Sequence, residues 1–181
     1  MRTFVYLFTG LLFCLAFMVP GSAQSVRATR FSSAYTDLSK DCKAKFKKAA
    51  EGQDMPVICK GFGGYLITSN PYALGVQYSV ENPKFKKGDD LKSILVGDVS
   101  SSGRRLVEWR MADGKPFAII FRSDKRKDGD VDNTKLTKVL IVTGLHGFDK
   151  IAYEIDAKSA NANVRAREFA DQFYKKQLDQ K

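Results

Sequence analysis

The 181-residue chain holds one histidine, one tryptophan, three cysteines and five prolines. A lone histidine, His146, beside Gly147 in an apparent turn, gives a Ser/His/Asp arrangement little to build on, and no Gly-x-Ser-x-Gly elbow is present. A structural zinc site needs about four N or S ligands, which this composition does not supply. The cysteines form no Cys-x-x-Cys, the usual mark of a redox centre. Strand-like and helix-like stretches do not alternate, which argues against a parallel sheet. Basic and aromatic residues are not interleaved as a single-strand nucleic-acid groove requires. Only one apolar run is long, and it lies at the start.

That run, Phe4 to Met18, follows Arg2 and precedes Pro20-Gly21-Ser22-Ala23. A basic start, an apolar stretch and small residues at the end make the pattern of a secretory signal peptide cut after Ala23. At about 15 residues the run is short for a membrane span of roughly 20. Residues 24–181 are then a single mature domain, with 24–33 read as a loose arm because they are polar and lack periodicity.

The charge is +10, from 30 Lys+Arg against 20 Asp+Glu. Cleavage would take away one basic residue, Arg2, and no acidic one, leaving 29 against 20, or +9. Clusters lie at Lys43–Lys48, Lys84–Lys87 and Arg122–Lys127. Such a surface can attract lipopolysaccharide, anionic phospholipid or acidic glycans; it also simply keeps a protein soluble. Lys43, Lys45, Lys47, Lys48, Arg104 and Arg105 are the candidate anion contacts. In an exported chain, Cys42 and Cys59 are expected to form a disulfide closing a loop of about 17 residues.

Among the elements, Arg104–Arg122 stands out. Two alternating runs flank Ala112-Asp113-Gly114-Lys115, and Asp-Gly between such runs predicts a two-residue hairpin. Val107, Trp109 and Met111 on one strand and Phe117, Ile119 and Phe121 on the other are expected to share one buried surface. A short helix is expected to start at Ser39 or Asp41, to carry Cys42, Phe46, Ala49 and Ala50, and to stop at Gly52. Gly61-Phe62-Gly63-Gly64 fits neither phosphate-binding fingerprint and reads as a tight turn or bulge. Leu74, Val76, Tyr78 and Val80 alternate as a half-buried strand, and Ser93–Val99 can form another. Leu136–Val142 reads as a buried strand, with Ile151, Tyr153 and Ile155 on one face of the next. Asp128, Asp130 and Asp132 open like a calcium loop, but Asn133 and Val139 occupy the positions of its glycine and bidentate glutamate, so a solvated loop is expected. From Ser159 onward a helix is capped by Ser159 or Asn161, with Ala162, Ala166, Phe169, Ala170 and Phe173 as its buried stripe. Glu108 and Glu154 are the only carboxylates inside strand runs and read as exposed. The fold expected is α+β: an antiparallel, strongly curved or partly closed sheet of six or seven strands, a short N-terminal helix, and a C-terminal helix packed on one face.

AYTDL followed by a cysteine, CKGFGGY, VEWRMADGKPFAIIFR, IAYEIDA and NANVRAREFADQF together resemble a family of small exported bacterial proteins of unknown function. The resemblance spans most of residues 24–181, and its most specific part is the EWR…DGKPFAIIFR block. It implies export and a disulfide, and brings no catalytic residues. Some relatives carry a second cysteine pair near the positions of Phe148–Lys150 and the C-terminus; this chain lacks it, which implies a less firmly tied final helix.

The function these features favour is an exported, non-enzymatic domain, without cofactor or metal, that binds an anionic envelope component or a partner. Two alternatives remain. Ser101-Ser102-Gly103-Arg104 is similar to the inhibitory loop of lysozyme inhibitors, although a +9 protein would be repelled by basic lysozymes. The other is an enzyme whose site is unfamiliar.

Overall fold

The computed structural model describes residues 28–44, 57–72, 75–85, 94–97, 105–126 and 136–179. Their order is β1 (Phe31–Asp37), β2 (Cys42–Ala44), β3 (Val57–Lys60), β4 (Leu66–Tyr72), β5 (Gly75–Glu81), β6 (Ile94–Gly97), β7 (Leu106–Ala112), β8 (Lys115–Arg126), β9 (Leu136–Gly144), β10 (Ala152–Asp156) and α1 (Ala162–Leu178). One sheet has the order β1-β7-β8-β9-β10, the other β2-β3-β4-β5-β6, and every pairing is antiparallel. The class is α+β with a C-terminal helix, as expected. The single curved sheet of six or seven strands is corrected to two five-stranded sheets.

The added strands come from segments that do not look like strands. β1, FSSAYTD, carries a polar residue at its one enclosed position: Thr36 is buried with its hydroxyl bonded on both sides, accepting from Trp109 Nε1 at 2.9 Å and donating to the Lys60 carbonyl at 3.3 Å. Pairing from Phe31 onward therefore begins inside the segment read as a loose arm. Just before it, the Arg30 N–H donates to Asp113 Oδ1 at 3.0 Å, and its carbonyl accepts from the Asp113 N–H at 2.9 Å. The short N-terminal helix is also corrected over its described part: Cys42–Ala44 is extended and paired with β3, and Phe46 to Gly52 lie outside the described residues. Cys42 and Cys59 stand directly opposite in that ladder and form a disulfide.

The central hairpin follows its turn chemistry. Asp113 (φ 47°) and Gly114 (φ 78°) both take positive φ between the paired residues Ala112 and Lys115, the geometry of a type I′ turn. Two paired positions past the turn the register shifts: Arg110 faces Ala118 but Met111 faces Pro116, so Phe117 is an inserted residue. The bulge sends Phe117 to the helix side of the sheet, not beside Trp109.

Both faces of the β1–β10 sheet are therefore covered. On one side Val107, Trp109, Met111, Ile119, Phe121 and Leu145 share a core with Cys59, Ile67, Tyr78 and Val80 of the second sheet and Tyr65 of its β3–β4 turn. On the other, Phe117, Ala118, Ile120, Leu140, Val142, Ile151 and Ile155 meet Ala162, Ala166 and Ala170 of α1. Three alanines four residues apart let the helix axis approach closely. Neither expected cap is used: Asn161 sits at the N-cap in left-handed conformation without a side-chain bond, and the Ser159 hydroxyl donates to the Asp156 carbonyl. Lys175 and Lys176 in the last turn suit the helix dipole. Among the described residues no helix is long and apolar enough to cross a membrane.

Candidate functional site: a charge-paired seam between helix and sheet

Strand residues two apart lie on one face about 6.6 Å from each other, and helix residues four apart lie on one face about 6 Å apart. Glu108 and Arg110 are such a strand pair; Arg167 and Asp171 are such a helix pair. The near-equal spacings let the two acids and two arginines dock in matched order. Arg110 forks onto Asp171, with Nε to Oδ1 at 2.7 Å and Nη2 to Oδ2 at 2.5 Å. Arg167 forks onto Glu108, with Nε to Oε1 at 2.7 Å and Nη2 to Oε2 at 3.0 Å.

β1 closes the circuit. The Ser33 hydroxyl donates to Glu108 Oε1 at 2.5 Å and accepts from Arg110 Nη1 at 3.0 Å, so it joins the two pairs. Tyr35 accepts from Arg167 Nη2 at 3.1 Å through its hydroxyl. Glu108 is 7% exposed and Arg110 9%. The Glu108 hydrogen bonds hold the Arg167 guanidinium above its ordinary pKa, against the opposing effect of desolvation. Among the described residues no buried side-chain polar atom lacks a partner. Further along the helix Phe31, Phe117, Phe148 and Tyr174 pack in edge-to-face, tilted and stacked pairs, with ring centroids 4.7 to 5.9 Å apart, and Lys175 Nζ lies 5.5 Å from the Phe31 ring.

Chemically the seam is a clamp. Each carboxylate accepts from a bidentate guanidinium, a planar fork that fixes geometry as well as charge, and arginine does not release its proton. The expectation that Glu108 is exposed is corrected. A period-2 reading assigns one buried face per strand, whereas β7 is covered on both, and Glu108 lies under α1. Glu154 is exposed as expected, 3.0 Å from Lys125 Nζ.

A second constellation surrounds Trp109, which is wholly enclosed. Phe62 and Tyr65 from the β3–β4 turn lie 6.0 and 5.9 Å from its ring. That turn is the expected tight connection: the Gly61 N–H donates to the Tyr65 carbonyl at 2.9 Å, and Gly63 and Gly64 take positive φ. Burial raises the Tyr65 hydroxyl pKa; the His146 backbone acts to lower it, and Asp149 adds to the rise. His146 is exposed in its turn and stacks on Phe85 at 4.0 Å.

Of the candidate anion contacts, Lys43 lies in β2 opposite Ile58, and Arg105 is half-buried, its carbonyl accepting from the Leu38 N–H at 2.9 Å. Lys45, Lys47, Lys48 and Arg104 lie outside the described residues, as do the Ser101–Arg104 loop and Asp128–Asp132. The seam itself was missed by sequence reasoning, although a signal for it exists. Glu-x-Arg inside an apolar strand and Arg-x-x-x-Asp on a helix are complementary in charge, order and spacing.

Among the described residues no group of three His, Cys, Asp or Glu side chains could hold a metal ion. No family model, curated protein or solved structure matches the chain.

Proposed function

We propose that the protein is an exported, non-enzymatic binding domain whose ligand is an anionic surface or molecule of the cell envelope. The observation carrying this reading is where the charge resides. The seam pairs two arginines with two carboxylates and is neutral, so the excess of nine positive charges in residues 24–181 (29 Lys+Arg against 20 Asp+Glu) is carried entirely by residues outside it. The Cys42–Cys59 disulfide supports an oxidising destination. The resemblance to small exported bacterial proteins adds to the same reading, as does the apolar start of the chain.

The test is co-sedimentation of residues 24–181 with vesicles of phosphatidylglycerol and phosphatidylcholine, compared with phosphatidylcholine alone, from low to high salt. Binding to the anionic vesicles that weakens as salt screens it is the expected result. Equal binding to both vesicle types, or none to either, would overturn the proposal.

A further inference from the structure

β2 is the shortest strand of its sheet. It is three residues long, lies at the end of the order β2-β3-β4-β5-β6, and pairs only with β3. A three-residue ladder of this kind has little stability of its own. The covalent link falls inside it, between residues that face each other across the ladder, Cys42 and Cys59.

The two sulfurs have different surroundings. Cys59 is fully buried in the core with Trp109, Ile67 and Val80, whereas Cys42 is half-buried at its edge. β3, unlike β2, is anchored from several sides. It pairs with β4, the Val57 N–H donates to Ser69 Oγ at 2.9 Å, and the Lys60 carbonyl accepts from Thr36 Oγ1 at 3.3 Å. A reduced Cys59 would remain in that core as a small apolar side chain, the role that buried free cysteines commonly fill.

We propose that the Cys42–Cys59 disulfide is a redox latch, whose reduction by a dithiol frees β2 while β3 and the rest of the fold stay in place. One thiolate of the dithiol attacks the Cys42 sulfur, the more accessible of the two, and the S–S bond breaks toward Cys59. Cys59 leaves as thiolate and takes up a proton, which its apolar surroundings favour. The second thiol of the reductant then attacks the mixed disulfide and releases Cys42 as a thiol. Two electrons and two protons pass from the dithiol, which ends as a disulfide, to the two cysteines. Release of β2 uncovers the outer main-chain edge of β3, and exchange with a disulfide oxidant, which ends as a dithiol, closes the latch again.

Hydrogen–deuterium exchange with mass spectrometry on residues 24–181, before and after dithiothreitol under native conditions, tests the latch, with alkylation of both thiols to confirm reduction. Amides of residues 42–44 are expected to exchange on the order of 100-fold faster after reduction, while those of β7, β8 and α1 are unchanged. The double variant Cys42→Ser/Cys59→Ser is expected to show the same local pattern. If that variant does not fold, the dithiothreitol experiment on the unaltered chain decides. Unchanged exchange at 42–44 in fully alkylated protein would overturn the latch. So would exchange that rises throughout β7 and β8, or a disulfide that dithiothreitol reaches only in denaturant. None of these outcomes depends on anionic vesicles, so the latch and the binding proposal stand or fall separately.

Discussion

At the residue scale, Glu108 carries the most consequence. It is nearly enclosed, accepts from Ser33 and accepts twice from Arg167, while its strand neighbour Arg110 engages Asp171. Removing one partner of an enclosed pair leaves the other charge without compensation, which is worse than removing both. Glu108→Ala is expected to cost about 2 to 4 kcal/mol, below the fully buried extreme because part of the Arg167 side chain reaches solvent. Urea unfolding followed by Trp109 fluorescence measures this. In a double-mutant cycle with Arg167→Gln and Glu108→Gln the coupling is expected to exceed about 1 kcal/mol, and a value near zero would show that the contact contributes nothing net.

Gly61 is the second residue whose role is sharply set. A Cβ there would stand 2.5 Å from Trp109 Cζ2 and 2.8 Å from the Tyr65 carbonyl oxygen. Neither can yield, since the indole is enclosed and the carbonyl belongs to the turn. Gly61→Ala is expected to cost about 1 to 3 kcal/mol and to alter the near-ultraviolet signal of Trp109. Tyr65 supplies a pH dependence. Its folded-state pKa lies above the ordinary value of 10.0, so its contribution is fully present below pH 10 and is lost as pH rises through the folded value. Tyr65→Phe is therefore expected to flatten the alkaline fall in stability above about pH 10 relative to the unaltered chain. Urea midpoints at pH 8 and pH 11 give the comparison.

At the scale of elements, legibility in the sequence tracks how strongly each segment follows its own period. The β7–β8 hairpin was readable because Asp-Gly dictates its turn, and α1 because alanine and phenylalanine repeat at helical spacing. β1 is not readable, because half-buried Ser33 and buried Thr36 are held by hydrogen bonds that only the tertiary structure supplies. The stretch at Cys42 has a helix-like distribution of alanine and lysine, yet its partner across the ladder is Cys59, and the pairing overrides the local pattern. Phe117 escaped because a single inserted residue reverses the parity of a strand, and nothing local announces the insertion. The seam follows from matching two elements far apart in the chain, a comparison that single-element periodicity never makes. Its consequence for α1 is register. A helix seated on small alanines could slide by a turn, and two crossed-charge forks fix the position at which it stops.

At the scale of the whole molecule, two sheets and a helix enclose two cores, the second sheet carries the disulfide, and a neutral seam leaves a strongly basic remainder. Stability and binding should then respond to different substitutions. Changes in the seam are expected to lower stability and leave attraction to anions intact; removing surface lysines is expected to do the reverse. The most direct measurement is the salt dependence of binding to phosphatidylglycerol vesicles for three proteins: residues 24–181, the same chain with Glu108→Gln and Arg167→Gln, and the same chain with Lys43, Lys45, Lys47 and Lys48 each changed to alanine. The seam variant should bind with an unchanged salt slope, and the lysine variant should lose on the order of 1,000-fold in affinity at low salt, each of the four cations near such a surface contributing about 1 kcal/mol. Equal affinity of all three proteins at every salt concentration would contradict it.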